Sequence, residues 1–143
     1  MASGFYNRFK ANLFNGLIDL SEDSPADVIK VALMDNNHVF SATDNVWADV
    51  SANELAAGNG YTAGGEILAN QAVTQTATTK FDGDDIDWTT ATFTAYHAVI
   101  YNDSLPNKDL IASIDFGAAK SVVTPNTFTL HWHTDGIITI ETV

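Results

Sequence analysis

The 143-residue sequence predicts a mainly β domain: a compact antiparallel β-sandwich or barrel-like fold with an amino-terminal amphipathic helix and one short helix near 51–58. Three observations predict it. Apolar residues recur at spacings of three and four only in the opening segment. Most of the remainder alternates, or runs as short stretches rich in β-branched residues. Clusters of Gly, Asn, Asp and Pro punctuate those stretches. The organisation expected is a helical segment over 1–24 and a single β domain over 25–143.

The opening helix is read from Phe5, Phe9, Leu13, Leu17 and Leu20, which form one stripe that Tyr6, Phe14 and Ile18 widen. Ser3 is the expected N-cap. Asp19 and the run Ser21–Pro25 are expected to end the helix, because proline cannot continue it. Val28–Met34 is a buried strand by its unbroken apolar run. Asp35-Asn36-Asn37 is a turn. Ser51 to Glu54 has the form of a capping box, with Ser51 as N-cap, and Gly58 limits the helix that it starts.

Gly58 to Gly65 holds four of the nine glycines. A phosphate-cradling loop is a weak reading, since no Lys-Ser/Thr pair follows and no strand leads directly in. A structural loop with Tyr61 pinned against the sheet is the expectation. Glu66–Phe81 alternates loosely, and its threonines carry β propensity. Phe81–Trp88 is an acidic turn between strands. Ala91–Tyr101 is the longest strand expected. Leu110–Phe116 follows, with Leu110, Ala112, Ile114 and Phe116 on one face. Thr127–His133 alternates strictly. A three-residue turn, Thr134–Gly136, would then set Trp132 opposite Ile138 and Leu130 opposite Ile140 in a terminal hairpin.

Eighteen acidic and six basic side chains give a formal charge of -12. The acids are spread along the chain, so the surface repels phosphate backbones and anionic lipid headgroups. Nucleic acid and membrane are not expected partners. No apolar run approaches the roughly 18 residues of a membrane-spanning helix. Arg8 and Lys10 interrupt the first apolar pattern, so no secretory leader is expected and the chain reads as made in the cytoplasm. With no cysteine, disulfides and thiolate metal sites are excluded.

Few residues invite chemistry. Asp82, Asp84 and Asp87 could ligate a cation, but the spacing is not that of an EF-hand, and a solvated turn is the simpler reading. His131 and His133 share a strand face and could hold a divalent metal if His97 or Glu141 supplied a third ligand. A solvent-facing stripe is the simpler reading there too. Trp47, Trp88 and Trp132 could form a sugar-stacking platform, although tryptophans at strand positions usually belong to the core or rim. No Ser lies in a Gly-x-Ser-x-Gly elbow. The expectation is a protein without enzymatic activity and without a cofactor.

Several stretches resemble a family of small virion proteins of tailed bacteriophages. They are Tyr6-Asn7-Arg8-Phe9-Lys10, Ile18-Asp19-Leu20, Ile29-Lys30-Val31-Ala32-Leu33, Gly60-Tyr61-Thr62-Ala63-Gly64-Gly65, Phe81-Asp82-Gly83-Asp84-Asp85, Ile114-Asp115-Phe116-Gly117, Phe128–Trp132 and Gly136-Ile137. The likeness runs nearly end to end. The His131-Trp132-His133 triplet departs from it, since polar neutral residues are more usual there. The resemblance implies a virion structural role, as a decoration (cement) protein on the capsid or as a minor tail or fibre-associated component. A small carbohydrate-binding β module is the alternative outside the particle. A metal-dependent hydrolase built on the histidine strand is the reading of least support.

The partners implied are the major capsid protein or other virion proteins, in a homo-oligomer or symmetric array. Aromatics dominate interface hot spots, so Phe5, Tyr6, Phe9, Leu13 and Phe14 are the expected anchors. Arg8 and Lys10 could meet an acidic partner surface, and Tyr61 lies in a secondary contact loop.

Overall fold

A computed structural model of the chain describes residues 2–141. The domain is mainly β, with one helix near the amino terminus and a second, shorter one. Among the described residues every strand pairing is antiparallel. Strand β1 (Gly4–Phe5) precedes helix α1 (Asn7–Phe14), and β2 is Ile29–Met34. Helix α2 (Trp47–Val50) runs into a 3-10 turn at Ser51–Asn53. Strands β3 (Glu66–Ile67), β4 (Ala72–Thr74), β5 (Thr79–Asp82) and β6 (Ile86–Trp88) are short. Strands β7 (Phe93–Asn102) and β8 (Leu110–Val122) are long, and β9 (Phe128–Leu130) and β10 (Ile138–Ile140) close the chain.

The main sheet has the order β1-β8-β7-β2-β3. Its centre, β2 and β7, is covered on both faces, which explains why β2 reads as an unbroken apolar run. Ile29, Val31 and Leu33 face one core with Ile100 and Ala112. Ala32 and Met34 face a second core with Tyr6, Val99, Tyr101 and Leu110. The first core also takes Phe81, Ile86, Trp88 and Ile138 from the two smaller sheets, β10-β5-β4 and β6-β9.

Helix α1 is shorter than its apolar stripe predicts. Gly4 and Phe5 pair with Ser113 and Ala112 at the edge of β8, so the helix starts only at Asn7. Ser3 is not its cap; its Oγ instead accepts the amide of Asp115 at 2.8 Å. The helix stops at Phe14, not near Pro25. Gly16 takes φ +65°, and the Leu17 amide reaches back to the Asn12 carbonyl at 2.9 Å, closing the C-terminus as a Schellman turn.

The capping-box reading of Ser51–Glu54 does not hold. The helix lies earlier, and Ser51 is its C-cap, where the 3-10 turn begins. Asp49 caps the N-terminus by accepting the amides of Asn45 and Val46 at 2.8 and 3.1 Å, which holds its carboxyl below the usual range. Glu54 is drawn away to the glycine loop, where it accepts the Tyr61 hydroxyl at 2.7 Å and the Gly64 amide at 2.5 Å.

Strand β8, not β7, is the longest. Asp115 pairs with His97 and Lys120 with Ala95, so residues 116–119 bulge opposite Tyr96 alone. A second irregularity puts Ile111 and Ala112 in the same core and Leu110 in the other. The predicted common face therefore holds for Ala112, Ile114 and Phe116 but not for Leu110.

The terminal hairpin does not form. Residues Phe128 and Leu130 pair with Trp88 and Ile86, and Ile138 pairs with Phe81. Apolar residues still meet apolar residues, but across strands distant in sequence. The turn itself survives: the Gly136 amide donates to His133 O at 2.9 Å with Gly136 at φ +95°. The expected second strand ran on to Thr142 and Val143, which lie outside the described residues.

Candidate interaction surface

The stripe of α1 divides between core and solvent. Tyr6 and Phe9 are buried in the domain itself, and Leu13 packs half-buried against the first core. Tyr6 and Phe9 hold the helix in place and present no surface to a partner, whereas Leu13 presents only part of its side chain. Phe5 lies at the sheet edge, 5.7 Å from the ring of Phe9. Phe14 is 92% exposed, and Leu17, just past the helix end, is 57% exposed. Leu17 lines a shallow groove with Leu105, Pro106 and Asn107. Among the described residues Phe14 is the most exposed of the large apolar side chains, ahead of Val39 at 75%, and is the surface feature that asks for an explanation.

The base of that groove is polar. Asp109 is buried and accepts Arg8 Nε at 2.6 Å and Asn12 Nδ2 at 2.8 Å. Arg8 is thus a clamp between α1 and the start of β8, and Lys10 is exposed. Asp109→Ala is expected to lower stability by about 2 kcal/mol, because two donors lose their acceptor while the half-exposed Arg8 can turn to water. Urea unfolding checks it: an unchanged midpoint would show that Asp109 does not anchor α1.

Tyr61 is not a surface contact residue. It is buried, its hydroxyl accepts the Leu33 amide at 3.1 Å, and it donates to Glu54. Burial and the adjacent Glu54 carboxylate push its phenol far above the ordinary value. The expectation of a tyrosine pinned on the sheet holds.

The candidate metal ligands do not converge. Asp82 pairs with Lys80 at 3.2 Å, Asp84 accepts Asn70 Nδ2 at 2.6 Å, and Asp87 accepts Thr129 Oγ1 at 2.5 Å. His131 meets Asp85 at 2.6 Å, and His133 meets Asp135 at 3.1 Å. The Asp85 carboxyl is held below its usual range, first by the Trp132 amide and then by His131. His97 is buried in β7 and joins neither histidine. Among the described residues no three His, Asp or Glu side chains are placed to share an ion.

Each tryptophan is engaged within the domain, Trp132 by donating its indole N–H to the Asp84 carbonyl at 2.8 Å. Trp88 is buried between Tyr61 and Phe128, and Trp47 stacks on Tyr101 at 4.5 Å.

A polar cluster that periodicity does not reveal lies under β1. His38 Nε2 and Ser113 Oγ are 3.0 Å apart, the rings of His38 and His97 are 5.1 Å apart, and His97 Nε2 is 3.7 Å from Asp115. The Tyr6 hydroxyl and His97 Nδ1 are buried there without hydrogen-bond partners. Ser113 is 1% exposed, so its hydroxyl cannot meet a substrate as the cluster stands. Burial, then the neighbouring His97, pulls the His38 imidazole down to about 4, with Asp35 opposing. The only signal in the sequence was His97 within an otherwise apolar strand; His38 sits in a loop with no pattern.

Among the described residues no helix is long and apolar enough to cross a membrane. No family model, no curated protein and no solved structure matches the chain.

Proposed function

We propose that this chain is a non-enzymatic structural protein of a tailed-bacteriophage particle, built as a β-sandwich and decorating the outside of the head shell. The observation that carries the reading is the exposed Phe14 at the end of α1, followed by the exposed Leu17 just past the helix. Aromatic side chains bury large apolar areas and are frequent interface anchors, so Phe14 is suited to a contact role. The end-to-end resemblance supports a virion setting. The dispersed negative charge of the chain supports a role on the outer surface rather than against packaged nucleic acid. Many copies, each with a small contact on neighbouring capsid subunits, would brace the shell through avidity.

Two measurements test it. Quantitative mass spectrometry of purified particles is expected to find this chain at a copy number comparable to that of the major capsid protein. A handful of copies would move it to the tail, and absence from the particle would end the virion reading. Phe14→Ser with Leu17→Ser is expected to leave folding intact and weaken binding to undecorated heads about tenfold or more. Undiminished binding would remove Phe14 and Leu17 from the contact.

A further inference from the structure

Strand β1 and the loop after β2 together cover the His38–His97 pair. The loop brings His38 inward and leaves Val39 outside. Phe40 lies over Gly4, where an added Cβ would stand 2.8 Å from its ring. Tyr6 packs against Phe40 in the second core, but the backbone bonds of this cover are few. Two residues of β1 pair with β8, the Tyr6 amide reaches Ile111 O at 3.1 Å, and the Asn7 amide reaches Ala42 O at 2.9 Å. Strand β7, which carries His97, is instead central in the sheet with a partner on each side.

We propose that the buried His38–His97 pair is an acid-triggered latch on the amino-terminal segment. At neutral pH the uncharged His38 imidazole fits beneath the cover beside the His97 ring. A proton on His38 would place a buried cation against a second imidazole, with only the Ser113 hydroxyl in direct contact. The groups that face the pair are few. Asp35, at the end of β2, favours the cation, as does Asp115 of β8 beside His97. Tyr6, from the segment between β1 and α1, contributes only a neutral phenol. His38 leaves the cavity by releasing the short loop, since β7 cannot move without breaking two strand pairings. Local opening of the least-bonded cover is the accessible response. The cover leads into α1, which Phe9 and the Arg8–Asp109 pair hold separately, so acid would loosen the segment ahead of the helix.

The sign follows from the displaced imidazole. Its closed-state value of about 4 lies below the ordinary 6.5, so the closed form is fully favoured above 6.5 and weakens as pH falls toward 4. Hydrogen exchange of the full chain, corrected for intrinsic rates, tests the latch between neutral pH and about pH 4. Residues 2–7 and 36–42 are expected to lose about a hundredfold of protection while 97–102 keep theirs. His38→Gln, which cannot take the proton, is expected to abolish most of that loss. Unchanged protection at acid pH would overturn the latch, as would an equal loss in His38→Gln or a loss spread evenly across β7. A ring-proton titration of His38 in the native chain provides a second readout that does not depend on the variant folding. A midpoint well below 6.5 is expected, and an ordinary midpoint in the closed protein would overturn the proposal.

Discussion

Gly65→Ala is expected to cost more than about 4 kcal/mol and to leave little folded protein at ambient temperature. Gly65 is buried at φ +71°, with its Cα against the central strand β2. A Cβ there would overlap the Val31 carbonyl oxygen and stand 2.6 Å from the Ala32 Cα. Both atoms belong to backbone that is paired with β7, so neither can give way cheaply. Strain at positive φ adds about 1 kcal/mol or more. The damage would spread, because the same loop ties down two other side chains. The Gly64 amide donates to Glu54 and the Gly64 carbonyl accepts the Tyr101 hydroxyl at 2.6 Å. The check is thermal unfolding followed by circular dichroism. A variant within about 1 kcal/mol of the native protein would mean that the loop lifts off β2 without consequence.

Trp88→Ala is expected to cost about 3–5 kcal/mol, the range for emptying a large aromatic site in a core. Trp88 is 1% exposed and lies between the rings of Tyr61 and Phe128, at 6.4 and 5.9 Å. It joins the small sheet β6-β9 to the glycine loop, and the cavity could not collapse without moving both. Trp88→Phe is the informative companion. Its ring fills most of the volume and removes a buried indole N–H that has no acceptor. The expected loss is below about 1.5 kcal/mol. Chemical denaturation of both variants separates the two contributions. Equal losses for Ala and Phe would show that shape at this site matters less than some polar contact of the indole.

The site was legible only in part. Phe14 and Leu17 belong to the same periodic stripe as Phe9 and Leu20, and nothing in that spacing says which end faces water. Two tertiary events decide it. The pairing of Gly4 and Phe5 with β8 sets where the helix begins, and the turn at Gly16 sets where it ends. Arg8 was visible as a charge on the helix but not as a clamp, because its partner Asp109 is 101 residues away. The histidines drew attention in the wrong place. His131 and His133 alternate conspicuously and sit in solvent, each with its own aspartate. His38 and His97 show no shared pattern and meet in the interior.

By itself, the sequence determined the β character of the chain, a buried strand over Val28–Met34 of which only Val28 proved exposed and outside β2, the turns at Asp35–Asn37 and Gly136, the pinned Tyr61 and the shared face of Phe128, Leu130 and Trp132. Each is a local property: a φ/ψ preference, a side-chain alternation of two, or an aromatic flanked by glycines. Only the tertiary structure decided which strands meet, where β8 bulges, which half of the α1 stripe is buried and that two histidines share a cavity. Those outcomes depend on partners far along the chain. An apolar residue such as Leu130 matches Ile86 as well as it would have matched Ile140, so pairing is chosen by the packing of the whole domain and not by the residues of one hairpin.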